Sequence, residues 1–477
     1  MYDVTSKDAN RFIDSGEVKE SLEKAAGLAG DRACVLSILE KAKTFKGLGH
    51  REAAVLAEVK DPDILDEIYS LARRVKEHIY GRRIVIFAPL YLSDFCTNGC
   101  LYCGYSSKNK SARRRLNREE LKEEVRVLES MGHKRLALEA GEDPKNCPLD
   151  YVIECIDTIY GLRFRNGAIR RLNVNIAATT GEEYGRLKDA AIGTYILFQE
   201  TYHKPTYLDM HPSGPKSDYE WHTEAHDRAM AAGIDDVGLG VLYGLYDWKY
   251  DTIALLMHAE HLEATFGVGP HTVSVPRLRP AFEVSPMDFP HLLPDAHFKQ
   301  LVAVLRLAVP YAGMILSTRE QHSFRKEIIS VGISQISAGS CTGVGGYARA
   351  EGCVGADAER ASVVQFEPED HRHPREILKE LLQDGYVPSY CTACYREGRT
   401  GDRFMELAKS GKISDVCQAN ALLTLQEYME DYGDDELSLL ASETIHREIG
   451  AMPSVAFKTR LISMLSKIRN GARDIRF

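Results

Sequence analysis

The chain has 477 residues, 44% hydrophobic and 27% charged, an ordinary globular composition. Its formal net charge of −9, from 60 basic and 69 acidic residues, argues against a nucleic-acid binder, which needs a basic surplus. No stretch of about 18 apolar residues suggests a membrane span, and the start, MYDVTSKDANRFIDSGEV, lacks the basic and apolar segments of a secretory leader, so a cytoplasmic protein is expected.

Residues 1–80 read as a helical extension. EVKESLEKAAGLAG and DILDEIYSLARRVKEHIYG place apolar residues every three or four positions, and no strand pattern intervenes. From residue 81 the texture changes. Short apolar runs begin at 83, 135, 171, 194, 236, 271, 313 and 334, and helix-like stretches such as NREELKEEVRVLESMG and DWKYDTIALLMHAEHLEATFG separate them. Strands alternating with helices imply an α/β fold with a parallel sheet. Eight units over 81–360 imply a TIM-type (βα)8 barrel whose chemistry sits at the carboxyl ends of the strands. An open doubly wound sheet is the alternative. After about residue 360 the alternation stops, and PREILKELLQDG, GDRFMELAKSG and CQANALLTLQEYMEDYG give a mainly helical C-terminal region, 361–477.

Six of the eleven cysteines fall in two groups. DFCTNGCLYCGY carries Cys96, Cys100 and Cys103 directly after the first strand, spaced C-x3-C-x2-C. Cubane iron–sulfur clusters ordinarily take four thiolates, so three leave one iron open. A structural zinc site would need a fourth ligand nearby, and none stands there. The second group, Cys391, Cys394 and Cys417, is again a triad. A second cluster with one atypical iron fits that count better than zinc completed by a distant histidine.

The first spacing, on the loop after a first barrel strand, resembles the radical S-adenosylmethionine (SAM) superfamily. That resemblance implies a 4Fe–4S cluster on Cys96, Cys100 and Cys103, whose open iron chelates SAM. It puts the aromatic Tyr102 near the adenine and the EAGED element, with Ala140, Gly141 and Glu142 in place of the commoner Gly-Gly-Glu, near the methionyl amino group. Together with FQETYH (198–203), GPHTVSVPRLRPA (269–281), STREQ (317–321) and the C-terminal triad, the chain resembles the HydG family of hydrogenase maturases over essentially its whole length. Such an enzyme cleaves the Cα–Cβ bond of L-tyrosine, releasing p-cresol. It converts the dehydroglycine fragment to carbon monoxide and cyanide on iron for the H-cluster of FeFe hydrogenase. The thiamine-pathway tyrosine lyase, 2-iminoacetate synthase, shares the barrel motifs but lacks the C-terminal triad, and it is the alternative function. An iron–sulfur carrier without radical chemistry is a third. An electron donor such as ferredoxin or flavodoxin, and other hydrogenase maturases, are the expected partners.

Tyrosine's carboxylate needs a cation, and arginine offers the matching fork. Arg319, with Ser317 beside it, ends strand seven, and Arg277 at the end of strand six is the other candidate. Glu200 and Tyr202 end strand four and are expected near SAM. His258 and His261 read as a helix surface. His271 precedes strand six, at the barrel end opposite the SAM mouth, and by the resemblance it holds an additional iron at an auxiliary 4Fe–4S cluster. The glycine-rich SAGSCTGVGGYARAEG (337–352) is expected to contact SAM or close the barrel, with Cys341 and Cys353 as ordinary thiols.

Overall fold

All eight expected runs form strands in a computed structural model that describes residues 1–351, 363–411 and 413–477. They are β1 (Arg83–Ser93), β2 (Arg135–Ala140), β3 (Arg171–Asn175), β4 (Tyr195–Ile196), β5 (Val237–Gly240), β6 (Thr272–Ser274), β7 (Gly313–Leu316) and β8 (Gln335–Ser337). Each pairs in parallel with the next, and β1 pairs with both β8 and β2. The sheet is therefore closed, and the open-sheet alternative falls. Cys353 and Gly352 lie outside the described residues.

The N-terminal extension covers the outer helices of the barrel. Its longest helix, Pro62–Tyr80, starts with Asp61 as cap and a proline in the first turn, and stops at Gly81, whose φ of 61° suits glycine. Ile64, Ile68, Leu71, Val75 and Ile79 recur at helical spacing and are all buried. Helix Asp295–Ala308 receives that face. Burying each such side chain contributes about 1.5–3 kcal/mol.

Three features depart from the expected pattern. A ninth strand, β9 (Val387–Ser389), runs parallel to β1 at Arg83–Val85, so the C-terminal region is not purely helical. Three residues around a proline give no periodic signal, and the edge position tolerates that proline. β4 is only two residues long. Its extension turns aside at Glu200, a non-glycine residue with φ of 68°. Beyond it, the Thr201 hydroxyl and the Tyr202 N–H both donate to the buried Asp251 carboxylate, at 2.9 and 2.7 Å. Finally, His258 and His261 are buried rather than on a helix surface. His258 Nδ1 pairs with the Tyr202 hydroxyl at 2.8 Å, and His261 lies between Asp227 and the carbonyl of Val4 and stacks on Phe12. The N-terminal segment hides a face that helical periodicity alone leaves exposed.

Arg306 illustrates how the barrel's outer layer is tied together. It is fully buried and donates to the carbonyls of Gly332, Pro310 and Ala312 at 2.8–2.9 Å. Arg306→Met fills the space but leaves three carbonyls without their donor, at about 1–3 kcal/mol each. A thermal unfolding midpoint lowered by several degrees is expected; an unchanged midpoint would mean that water replaces the guanidinium.

Candidate active site and second cysteine group

The two ends of the barrel differ in chemistry. Inward-pointing residues alternate along each strand. On β1 the inward set includes Arg83 at the start and Phe87, Pro89 and Tyr91 towards the end, and β2 and β3 likewise begin with Arg135 and Arg171.

At the carboxyl end the ladder between β1 and β2 shifts register between Tyr91 and Ser93, a bulge that re-aims the chain into the cysteine loop. Cys96, Cys100 and Cys103 line one cavity of about 140 Å³, together with Tyr102, Ala140, Gly141, Glu142 and Glu200. The end of β2 is fastened to the cysteine loop. Thr97 N–H donates to the carbonyl of Glu142 at 2.8 Å, Asn98 donates to its carboxylate at 2.6 Å, and Gly141 N–H donates to Ser93 at 3.0 Å. A side chain on Gly141 would run into the carbonyl of Phe95 and Cβ of Cys96. Glycine is thus required by close approach.

The donor set suits an iron–sulfur cluster. Burial pushes the Cys103 thiol up to about 12 and Cys100 higher still, so without a cation these groups rest as neutral thiols, and a cationic core would displace their protons as it takes the thiolates. Tyr105 N–H points at Cys103 Sγ, 3.4 Å away. Among the described residues no three His, Cys, Asp or Glu groups converge on a single ion. A cubane does not require that, because each thiolate binds a different iron.

Lys216, which no motif marks, pairs with Glu200 at 2.7 Å within the same cavity, and the opposite charge drives its pKa above the ordinary lysine value against the effect of burial. Tyr102 is also held: its hydroxyl pairs with His211 Nε2 at 2.7 Å. Tyr202, expected here, is instead buried behind Glu200 on His258 and lines neither this cavity nor the deeper one.

The deeper cavity, about 90 Å³, is lined by Phe87, Pro89, Ile196, Phe198 and Ile315 and rimmed by Ser274, Ser317 and Ser337. Arg319 lines both cavities. Its guanidinium lies 3.4 Å over the Phe366 ring and makes one long bond, 3.5 Å, to the carbonyl of Arg277, with no carboxylate partner among the described residues. Ser317 Oγ accepts from the Arg319 N–H at 3.3 Å. Arg277 is not a free cation. Its guanidinium binds the Glu320 carboxylate, Asp295 at 2.7 Å and the carbonyl of Leu293, between the rings of Phe298 and Phe324.

The mouth is completed from beyond position 361. Gln365 accepts from Tyr91 at 2.8 Å, its carbonyl accepts from Gly104 at 3.1 Å, and both Gln365 and Phe366 line the cavities. The glycine-rich segment supports this strap through Thr342. Its short helix directs the N–H groups of Tyr347 and Ala348 to Glu124, so it closes the barrel; among its described residues Ser337 and Ser340 reach a cavity wall.

At the amino end of the barrel, β9 leads into Cys391 and Cys394, and helix Ile413–Tyr432 brings Cys417 to them. All three are largely buried. The Cys417 thiol and Arg83 hold Cys394 below the usual thiol value, and Cys417 is raised in return. Arg83 Nε and Arg135 Nε and Nη2 are buried without hydrogen-bond partners, and their field reaches the three sulfurs. Orphaned guanidiniums facing buried thiols suit a net negative cluster. His271 sits here, 3.4 Å from Asp236, in ring contact with Tyr395 and Phe404. Its Nδ1 has no good hydrogen-bond partner. Outside Tyr395 and Asp236 a cavity of about 470 Å³ opens to solvent. The three strand-initial arginines were legible as a repeated position once the strands were aligned.

Comparison with known proteins bears on both ends. The Radical SAM superfamily model matches residues 90–259, and the Biotin and Thiamin Synthesis associated domain matches 274–387. The 2-iminoacetate synthase of Salmonella typhimurium is 30% identical over 351 residues, 73% of this chain and 89% of that protein. The crystal structure of a HydG, a maturase of the [FeFe]-hydrogenase, is 56% identical, with a TM-score of 0.92, over 98% of this chain and 100% of its own. The chain belongs to the HydG family of radical SAM enzymes. The HydG of Carboxydothermus hydrogenoformans is 36% identical at a TM-score of 0.81, over 96% of this chain and 99% of its own. The HydG matches span nearly all of this chain, whereas about a quarter of it falls outside the synthase match. The radical SAM domain brings with it a SAM-binding 4Fe–4S cluster. Among the described residues no helix is long and apolar enough to cross a membrane.

The tight seat of Gly141 makes a specific prediction. Gly141→Ala should displace the first cysteine loop and lower the iron held there, leaving the signal of any cluster on Cys391, Cys394 and Cys417 intact. Paramagnetic resonance of the reduced protein reads both, and equal loss at the two groups would contradict the assignment.

Proposed function

We propose that this chain cleaves the Cα–Cβ bond of L-tyrosine to p-cresol and a dehydroglycine fragment, and converts the fragment to carbon monoxide and cyanide on iron for the H-cluster of FeFe hydrogenase. The observation that carries this reading is a HydG-family barrel with a cysteine triad at each end and, beside the first, an apolar cavity reached by Arg319, which has no carboxylate partner among the described residues.

Cys96, Cys100 and Cys103 hold the SAM-binding cluster, which with bound SAM supplies a 5′-deoxyadenosyl radical. Tyr102, Ala140, Gly141, Glu142 and Glu200 form the SAM side of the cavity, with Lys216 keeping Glu200 in place. Arg319 receives the tyrosine carboxylate, steadied by Ser317 and Phe366, and the wall of Phe87, Ile196, Phe198 and Ile315 receives the phenol ring. A rigid seat of this kind supplies rate through positioning. At the other end Cys391, Cys394 and Cys417 hold an auxiliary cluster and His271 an additional iron through Nε2, with Nδ1 turned to Asp236. In this reading residues 81–360 break tyrosine and residues 361–477 handle the fragment, the strap at 365–366 excepted. The setting is cytoplasmic, with a ferredoxin- or flavodoxin-like electron donor and other hydrogenase maturases as partners. A 2-iminoacetate synthase would stop at the fragment and has no use for the second triad.

Incubating the reconstituted, reduced protein with SAM and tyrosine, and assaying p-cresol, cyanide and carbon monoxide, tests the whole reading. All three products support it, p-cresol without carbon monoxide supports the synthase, and none of them sinks both. Arg319→Lys should weaken tyrosine binding by about tenfold or more, because an ammonium cannot reproduce a bidentate fork. Wild-type affinity in that variant would remove Arg319 from the carboxylate. Cys394→Ala and Cys417→Ala should keep p-cresol formation while carbon monoxide is nearly abolished, with His271→Ala a milder case. A fall of both products by one common factor would mean that the triad only supports the fold.

A further inference from the structure

Two ionisable side chains, among the described residues, line both the SAM-side cavity and the deeper one: Arg319 and Glu139. They mark the junction where the head group of an α-amino acid would sit if its ring filled the apolar wall. A cation and a carboxylate at one junction match the two charges of that head group. We propose that Glu139 receives the α-ammonium of the substrate opposite Arg319 and takes one proton from it, so that the amine is neutral when the reaction begins. This rests on the tyrosine-lyase reading above.

The product requires such a group. Dehydroglycine is an imine, and its C=N bond forms when the Cα–Cβ bond breaks beside a nitrogen that carries one N–H. An ammonium has three. One must leave as a proton, one as a hydrogen atom, and one remains. In the first of these steps an N–H bond of the ammonium breaks, its electron pair stays on nitrogen as the lone pair, and an O–H bond forms on the Glu139 carboxylate. No oxidant or reductant enters that step.

Glu139 is built for it. It ends the inward row of β2, beside Tyr91 in the β1 register. Asn175 on β3 hydrogen-bonds its carboxylate, and the field of Arg319 reaches it. The other titratable groups around it are already engaged. Tyr91 donates to Gln365, Tyr105 to the carbonyl of Thr342, Glu142 accepts from Asn98, and Lys216 pairs with Glu200. Desolvation pushes Glu139 up to about 8, against the pull of Arg319, close to the value of a chain-terminal α-amino group; a free amino acid's own carboxylate holds its ammonium higher, and pairing of that carboxylate with Arg319 offsets this. Transfer between matched groups is nearly thermoneutral, whereas an ordinary carboxylate near 4.3 would leave the proton on nitrogen.

The sign of the pH effect follows. Below about 8 the empty site carries its proton on Glu139. Tyrosine arrives with a second, and the filled site keeps one between the two groups. Binding at neutral pH therefore releases up to about one proton to solvent, and the release fades as the pH rises past the Glu139 value.

Calorimetry on the reconstituted holoenzyme with SAM, in buffers of different ionisation enthalpy, measures that proton. The ligands are tyrosine and 3-(4-hydroxyphenyl)propanoate, which lacks the amino group. The wild type should prefer tyrosine by about tenfold to a hundredfold, the worth of one charge-assisted hydrogen bond, and should release the proton. Glu139→Gln should bind the two ligands alike and release none, and Glu139→Asp should restore the release. If Glu139→Gln keeps both the preference and the proton, the inference is overturned while the tyrosine reading stands. Should Glu139→Gln not fold, the wild type still decides: equal affinity for the two ligands overturns the inference. A wild type that binds no tyrosine overturns the inference and the tyrosine reading together.

Discussion

The parallel hydrogen-bond ladder along β1 is the constraint on which the rest depends. Eleven residues long, β1 pairs with β2 at its carboxyl end, with β8 at its middle and with β9 at its start. Its carboxyl end feeds the first cysteine loop, and the strand beside its amino end feeds the second. At about 3.3 Å per residue the strand sets the two groups on the order of 30 Å apart. Two cysteine groups are thus held towards opposite ends of one strand by backbone bonds.

The barrel interior between them is graded. Phe87, Ile196 and Ile315 make the upper cavity apolar, whereas Arg83, Arg135 and Arg171 make the lower end cationic. Burying three arginines together is unfavourable unless negative charge balances them. Arg171 finds Asn173, Thr194 and the ring of Tyr395, but Arg83 and Arg135 keep unpartnered N–H groups facing the sulfurs. The carboxyl end follows the opposite rule, with single charges paired across it: Lys216 with Glu200, and Glu142 with Asn98. Arg319, at the junction of the cavities, is the exception, and Glu139 beside it is held by Asn175.

Much of this was legible in the sequence, for physical reasons. Parallel strands buried on both faces read as continuous apolar runs, so all eight barrel strands appeared where expected. Three thiols within eight positions have few chemical uses, and the cavity gathers the three at 96, 100 and 103. What the sequence hid was long-range partnership. Arg277 and Arg319 follow strands in the same way, yet Glu320 and Asp295 claim the first and leave the second open. Tyr202 follows Glu200 by two positions, but the left-handed turn at Glu200 sends it to His258. Lys216, Glu139 and the strap at Gln365–Phe366 join the site through tertiary contacts with no local pattern.

The central claim is that three thiolates at the carboxyl end leave one iron open to SAM while the second triad does a different task. Electron–nuclear double resonance on the reduced, reconstituted protein with SAM isotopically labelled at its amino nitrogen and carboxylate tests it most directly. The account predicts hyperfine coupling from both labels to the cluster on Cys96, Cys100 and Cys103, unchanged in Cys394→Ala. Coupling that is absent, or that disappears when the second triad is broken, would contradict it.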